Sequence, residues 1–452
     1  MKVVDLSKAQ DVGSSCMLLE IGSFKILVDA GLHPKKVGAD AVPNFSLIKP
    51  HSLDYIILTH CHLDHLGALP LAFRKQKDAK ILTSVPSMTL APRMLRNSYQ
   101  VMLRQKKEEN IEEYPLYTRM DINDVEKALM SMPYGVTKTF DKFGDKLKIT
   151  FYSSGHIPGA AGCLIEYKHR KIFITGDVLF EDQLTLPGAQ FPEGPFDTII
   201  METTRGATPR NDEKTRSSEI DRLIKVINHT LERNGSCLIP AFALGRMQEI
   251  LSVLHAAKAA GKLRSCPIFC SGLGLDLVDY FENIAKKTGL IHFRKRIITQ
   301  LKVKSLRLDV RPGEDMQEKG IYLLSSGMLI ENTPSYLMAA ALINHHHNSI
   351  CFVGYCDPET PGGIIQNAMQ EEEFLFKTLD YVSKVRAVVE KFDLTGHAER
   401  DELMDFVVKG NPRAVVLTHG DPPAREWFMN SIAQNLPEVK VINPIPELEI
   451  FV

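Results

Sequence analysis

The sequence predicts a layered α/β protein whose strands are covered on both faces, with one outer unit interrupted by an inserted α/β unit. Three observations carry this expectation. Short β-branched apolar runs such as "YIIL", "KIFI", "TIIM" and "AVVL" recur without polar alternation, as strands buried on both faces do. Helical patterns lie between the runs, and alternating strands and helices argue for α/β layers. Four runs also lead directly into a residue of catalytic type: His60, Asp177, Glu202 and His419. In such sheets functional groups collect beyond the strand ends, so these four are expected to converge, although each alone would pass as a loop residue.

Composition narrows the class. At 452 residues, with 44% hydrophobic and 24% charged residues, the chain reads as a soluble globular protein of up to roughly three domain-sized units. A formal net charge of −1 means that any nucleic-acid partner must be held by local basic patches. The start, "MKVVDLSKAQ", lacks the apolar core of a secretory signal, and no run approaches the roughly 18 apolar residues of a membrane span. A cytoplasmic protein is expected. The eight cysteines are too sparse for a disulfide scaffold and read as reduced, mostly buried thiols; "CPIFC" has no second pair at zinc-knuckle spacing.

Individual elements follow from pattern. "NDVEKALMSM" places Val125, Leu129 and Met132 at helical spacing, and "SSEIDRLIKVINHTLERNG" opens on a serine and stops at Gly235. The middle of the chain holds its own strand–helix units: "SCLIPAFALGRMQEILSVLHAAKAAG", "PIFCSGLGLDLVDYF" and "IYLLSSGMLI". If His419 is to join His60, the chain must return to its first unit. The expected division is therefore 1–205, an insertion over 206–350, and a return segment over 351–452. The repeat of "LTH" at 58–60 and 417–419 hints at two similar halves in the outer unit.

The chemistry begins in "ILTHCHLDHLG", residues 57–67. His60 and His62 stand two apart, so on an extended segment both side chains point the same way and can grip one cation. Asp64 and His65 follow in the turn that starts the helix "LGALPLAFRKQ" and can serve a second cation. Further ligands must come from afar. "YSSGHIPGAAG" presents His156, and "TGD" presents Asp177. Imidazoles with carboxylates suit zinc, and a shared carboxylate can hold two cations at the roughly 3.5–4 Å spacing of two-metal hydrolases. Cys61 is read as a spacer whose side chain points away.

"THCHLDHLG", "SSGHIPGAAG", "TGD" and the early "VDAG" resemble the metallo-β-lactamase superfamily in order and context. "METTRG", "PAFALGRMQE", "SSGML", "FVGY", "LTGHAERDEL" and "VLTHG" resemble its β-CASP branch, the nucleases that include the 3′-end-processing endonuclease and RNase J-type enzymes. The resemblance implies an αββα sandwich with an inserted α/β β-CASP domain and two zinc ions per chain. By it, His60, His62 and His156 would hold one zinc, Asp64, His65 and His419 the other, and Asp177 would bridge. Asp29 of "VDAG" would support the site. Glu202 would orient His397, which can protonate the leaving group, and Asp64 would share in the catalytic machinery. His at position 419 is the RNA-acting members' choice, so single-stranded RNA is the implied substrate.

The same resemblance places substrate contacts at Arg246, at the Ser325-Ser326-Gly327 turn and at Thr395-Gly396. After "SSGML" this chain continues "IENTPSY", and Leu394 and Thr395 replace the usual Phe and Ser. These departures touch the terminal-phosphate pocket, so both endonucleolytic and 5′-exonucleolytic cleavage stay open, as does homodimer formation. Outside the resemblance, Arg294, Lys295, Arg296, Lys302, Lys304, Arg307 and Arg311 form a basic stretch read first as a solvated strand face, with RNA tracking as the alternative. His345, His346 and His347 are read as an exposed turn and kept outside the site. Two rival functions use the same cluster: hydrolysis of a small ester or thioester, and a non-catalytic RNA-binding scaffold.

Overall fold

The computed structural model of the chain describes residues 1–209, 214–306 and 309–452. Two compact units emerge. Met1–Asp182, Pro187–Arg210 and His397–Val452 form the first, and Gln183–Leu186 with Asn211–Gly396 form the second.

Among the described residues the first unit holds two seven-stranded sheets. One sheet runs in the order 449–451, 2–5, 17–21, 24–28, 55–58, 80–84 and 129–132. Its partner runs 440–442, 414–418, 198–202, 170–174, 161–167, 145–153 and 138–142. Each sheet is antiparallel at its hairpins and parallel across longer connections, as short and long connections require.

The period-2 geometry of a strand explains the continuous apolar runs. In Thr198–Glu202, Ile200 faces the other sheet in a core with Ile26, Ile57, Leu82, Ile149 and Val416. Ile199 and Met201 face the opposite way, against Leu403, Val407, Phe428 and Ile432. The last four belong to the helices Arg400–Gly410 and Pro422–Asn435. On the far side, Leu69–Lys75, Val85–Glu108 and Arg119–Ala128 supply the other helical layer. This is the expected αββα sandwich. No described helix is long and apolar enough to cross a membrane.

The second unit is built on a six-stranded parallel sheet in the order 303–305, 268–270, 321–324, 237–240, 349–352 and 388–391. Leu238, Tyr322, Leu324, Ile350 and Phe352 pack there against the helix Pro334–Leu342 and against Phe374 and Phe376 of a two-stranded hairpin. The short segment Gln183–Leu186 belongs to this unit because the carboxylate of Glu249 accepts from Leu184 N, Thr185 N and Thr185 Oγ1 at 3.0, 2.9 and 2.7 Å.

Three expectations need correction. The insertion does not end at 350 but runs to Gly396, because Ser349–Phe352 and Val388–Lys391 pair as parallel neighbours in the second unit's sheet. The helix expected over 123–132 ends at Ala128, and Leu129–Met132 pairs instead with Lys80–Ser84, so tertiary hydrogen bonding overrides local periodicity. The basic stretch is a helix, Arg296–Leu301, followed by the short strand Val303–Ser305; Arg307 lies outside the described residues. Lys295, Lys304 and Arg311 already face Asp279, Glu318 and Glu314.

The segment after strand Phe24–Val28 grips the metal-motif turn through its backbone. Ala30 N donates to His65 O and Leu32 N to Leu63 O, both at 2.8 Å. Between them Gly31 passes so close that a Cβ would stand 1.7 Å from the Asp64 carbonyl oxygen. Gly31→Ala is therefore expected to destabilise the protein by about 1–3 kcal/mol, the usual range for forced overpacking. Chemical denaturation would show it, and an unchanged midpoint would mean that the close approach carries no weight.

Candidate metal centre

The four strand-end residues meet in the first unit. Strand Tyr55–Leu58 releases the chain in extended form, and His62 caps a single helical turn, Leu63–Leu66, that carries Asp64 and His65. His156 arrives on the turn between the strands Asp145–Ser153 and Ala161–Tyr167, Asp177 follows Arg170–Ile174, and His419 follows Ala414–Thr418.

Two groups of donor atoms result: His60, His62, His156 and Asp177, and Asp64, His65 and His419. Asp177 reaches into both. Its Oδ2 lies 3.6 Å from His60 Nε2 and 3.7 Å from His156 Nε2, while Oδ1 lies 3.4 Å from His65 Nε2. His156 Nε2 stands 3.1 Å from His62 Nδ1, and His419 Nε2 stands 3.2 Å from Asp64 Oδ2.

The residues fit a metal on three grounds. Donors about 2.0–2.1 Å from a tetrahedral zinc stand about 3.3 Å from one another, close to the separations found. His60 Nε2, His65 Nε2 and Asp177 Oδ1 are buried and lack a hydrogen-bond partner among the described residues, an arrangement that costs stability unless a cation satisfies them. The electrostatics agree. Burial lowers the His60 imidazole well below its ordinary value and keeps it neutral, as a ligand must be. At His65 burial acts in the same direction, but Asp177, Asp29 and Asp64 outweigh it and raise the value well above the ordinary one. Burial also opposes ionisation of Asp64 and Asp177, yet their histidine neighbours hold both carboxyls well below the usual range. A field that draws a proton onto His65 would draw a divalent cation more strongly.

Asp29 supports this cluster. Its Oδ1 accepts from Thr59 N and its Oδ2 from Thr59 Oγ1, both at 2.8 Å, and Oδ2 also lies 2.7 Å from His65 Nδ1. With Nδ1 engaged, His65 turns Nε2 toward Asp64 and Asp177. Asp29 and His419 both lie in the left-handed region, with φ of 58° and 46°. Such conformations cost about 1–2 kcal/mol and persist where surrounding structure enforces them.

Glu202 and His397 form a pair beside the cluster. His397 Nδ1 lies 3.1 Å from Glu202 Oε2, and its ring sits 4.6 Å from that of His156. Burial opposes the charged ring, but Glu202 first, then Asp177 and Asp64, raises its value. Val178 N donates to Glu202 Oε1 at 2.6 Å and fixes the carboxylate.

Sequence reasoning missed the two hydroxyls that touch this machinery, Thr59 and Thr204. Thr204 Oγ1 lies 2.5 Å from Glu202 Oε2 and 3.0 Å from His419 Nδ1. Its one visible signal was its place in "METT", directly beyond a strand end. Cys61 does point away, toward the Ser87 carbonyl oxygen, and burial pushes its thiol up to about 12.

The residues matched to substrate contacts all lie in the second unit. Arg246, at the start of the helix Arg246–Ala259, is buried, and its Nη1 has no hydrogen-bond partner among the described residues. Burial and the neighbouring Arg216 lower its guanidinium to about 9. Ser326 Oγ accepts from Ile330 N at 2.9 Å, Ser335 N donates to Ser325 O at 2.9 Å, and Gly327 packs against Phe242. Arg216 Nη1 donates to Thr395 O at 3.2 Å and so braces the Thr395-Gly396 segment. Asp315 gathers with His345 and His347 into a separate group of metal-ligand type. Its carboxylate is engaged by Lys319, Asn348 and His347.

Comparison with known proteins accords with this geometry. A metallo-beta-lactamase superfamily domain matches residues 18–198, a Beta-Casp domain residues 247–365, and a Zn-dependent metallo-hydrolase RNA specificity domain residues 383–444. The chain is 31% identical to the transcription termination factor FttA of Pyrococcus abyssi over 93% of its own length and 67% of the relative's. It is 28% identical to Integrator complex subunit 11 of Danio rerio over 96% of its length and 71% of that protein's. It thus spans about two thirds of the length of such relatives. A crystal structure of a protein of unknown function from Enterococcus faecalis shares the fold, with a TM-score of 0.54 at 11% identity and coverage of 100% and 99%. With both domain types matched in chain order and a relative above 30% identity over 93% of the chain, the chain belongs to the β-CASP family of the metallo-β-lactamase superfamily and is a metal-dependent hydrolase.

Proposed function

We propose that the protein is a zinc-dependent ribonuclease that hydrolyses internal phosphodiester bonds of single-stranded RNA. The observation that carries this reading is the Glu202–His397 pair set against the His/Asp cluster. The thiolate of a thioester can depart without such a buried proton donor, whereas the departing ribose oxygen of a phosphodiester needs one. The match of residues 383–444 to an RNA specificity domain, and the name of one relative as a transcription termination factor, support RNA as substrate.

The residues divide the work. His60, His62 and His156 would hold one zinc, Asp64, His65 and His419 a second, with Asp177 shared between them. Zinc bound there would supply hydroxide near neutral pH and neutralise charge on the phosphoryl oxygens. Asp29 holds Thr59 and His65 in place. Glu202 takes the Nδ1 proton of His397 as a hydrogen bond and favours the charged ring, so that Nε2 is the nitrogen able to hand a proton to the leaving group. Cations in the cluster would offset Asp64 and Asp177 and leave Glu202 as the carboxylate that keeps His397 protonated. In the second unit, Arg246 with its unpartnered Nη1, the Ser325-Ser326-Gly327 turn and Thr395-Gly396 would hold the RNA backbone.

Cleavage mode is tested with RNAs labelled at either end and carrying a 5′-monophosphate or 5′-triphosphate. Internal fragments whatever the 5′ group are expected; mononucleotides released only from the monophosphate would replace the endonuclease reading with a 5′-exonuclease one, and no cleavage of any RNA would end it.

Metal content gives an independent check. The purified chain should carry about two zinc ions, and chelation should abolish RNA cleavage until zinc is returned, while Asp64→Ala should lose bound metal and activity together. Cleavage that survives chelation would contradict the scheme.

His397→Ala should lower kcat on RNA by about 10²–10⁴-fold, the usual contribution of a general acid, with zinc content unchanged. An equal loss of zinc would recast His397 as a ligand.

Arg246→Lys keeps the charge but not the fork of donors, and should weaken RNA binding about tenfold with zinc content and unfolding midpoint preserved. Filter binding to a chelated, inactive protein would measure this, and unchanged affinity would remove Arg246 from the RNA site.

A further inference from the structure

We propose that Thr59 and Thr204 are positioning residues that lock His60 and His419 in the tautomer with Nδ1 protonated, so that each Nε2 presents its lone pair to the metal centre. The inference rests on the metal reading of the cluster and not on nuclease activity.

A threonine hydroxyl has one proton to give and can also accept. Thr59 Oγ1 donates to Asp29 Oδ2 at 2.8 Å, and the same oxygen lies 3.1 Å from His60 Nδ1. Its proton is committed, so the second contact is a hydrogen bond only if His60 Nδ1–H is the donor. Thr204 repeats the arrangement. Its Oγ1 donates to Glu202 Oε2 at 2.5 Å and lies 3.0 Å from His419 Nδ1. The His419 carbonyl oxygen, at 3.3 Å, is the other acceptor within its reach, and it too would leave Nδ1 as the donor.

The consequence appears at the far side of each ring. His60 Nε2, without a hydrogen-bond partner among the described residues, faces Asp177 Oδ2 at 3.6 Å, and His419 Nε2 faces Asp64 Oδ2 at 3.2 Å. Lone pair against carboxylate at such distances is repulsive unless a cation lies between.

A common plan emerges. Asp29 orients His65 directly and His60 through Thr59; Glu202 orients His397 directly and His419 through Thr204. Each carboxylate thereby sets two imidazoles, and Glu202 ties the proton donor to a ligand of the metal centre. The hydroxyl is drawn from different places. Thr59 immediately precedes its histidine, whereas Thr204 lies beyond the end of strand Thr198–Glu202, which pairs with the strand that leads to His419.

The test uses the full chain labelled with ¹⁵N-histidine. In the metal-free wild type, long-range ¹H–¹⁵N spectra should show His60 and His419 each carrying a proton at Nδ1; a neutral ring protonated at Nε2 alone in either would overturn the proposal without any variant. Thr59→Val and Thr204→Val keep the shape and remove the hydroxyl. Each should weaken zinc binding about 10–100-fold in competition with a chromophoric chelator, and should populate both tautomers of its histidine, while Thr→Ser at either position restores both readouts. Zinc affinity within about twofold of wild type in the Val variants, with the tautomer retained, would also overturn it. Absence of zinc binding by the wild type would instead defeat the metal reading, and the tautomer spectrum would still decide the roles of Thr59 and Thr204.

Discussion

The centre depends on one buried carboxylate. Asp29 sits at the end of strand Phe24–Val28 with a left-handed backbone, and its two oxygens hold Thr59 and His65 on opposite sides of the metal-motif turn. The residues just after it, Ala30 and Leu32, clamp the same turn by backbone hydrogen bonds, and Gly31 permits the approach. Placement of the candidate donors is thus set by atoms that belong to neither donor group. This is how a protein achieves positional accuracy: the groups around the ligands are locked before the ligands are.

Charge makes the arrangement one-sided. Asp29, Asp64, Asp177 and Glu202 share a small, largely buried volume with five histidines that line the cluster and one, His397, that lies beside it. Burial alone would neutralise such groups, and their mutual fields prevent it: the histidines hold Asp64 and Asp177 ionised, and the carboxylates load His65 with a proton. A proton is a poor substitute for a divalent cation that several donors can share. The cluster is therefore best compensated when metal is bound, and metal and local folding are coupled.

The inserted unit manages buried charge differently. Glu249 gathers Leu184 N, Thr185 N, Thr185 Oγ1 and Arg216 Nη2, so one carboxylate ties a short outlying segment to the start of the helix Arg216–Glu232. Arg216 in turn braces Thr395. Arg246 lacks an equivalent anchor for Nη1 among the described residues, and a buried guanidinium in that state favours an anionic ligand over solvent.

Much of this was legible in the sequence because it depends on local spacing. Unbroken apolar runs announced strands covered on both faces, and polar residues directly beyond them announced where donor groups gather; His60, His62, Asp64 and His65 crowd four side chains of metal-ligand type into six positions. What the sequence could not decide was everything that depends on which strands become neighbours. The insertion's end at Gly396 follows from Val388–Lys391 joining the second unit's sheet, and Leu129–Met132 became a strand because Lys80–Ser84 offered a ladder to complete. The threonines are the clearest case. Thr59 and Thr204 are ordinary residues in any one-dimensional reading, and only the fold brings one hydroxyl between Asp29 and His60 and another between Glu202 and His419. Residue type specifies which chemistry is available; the direction of a single hydroxyl proton is set by packing between segments up to 215 residues apart.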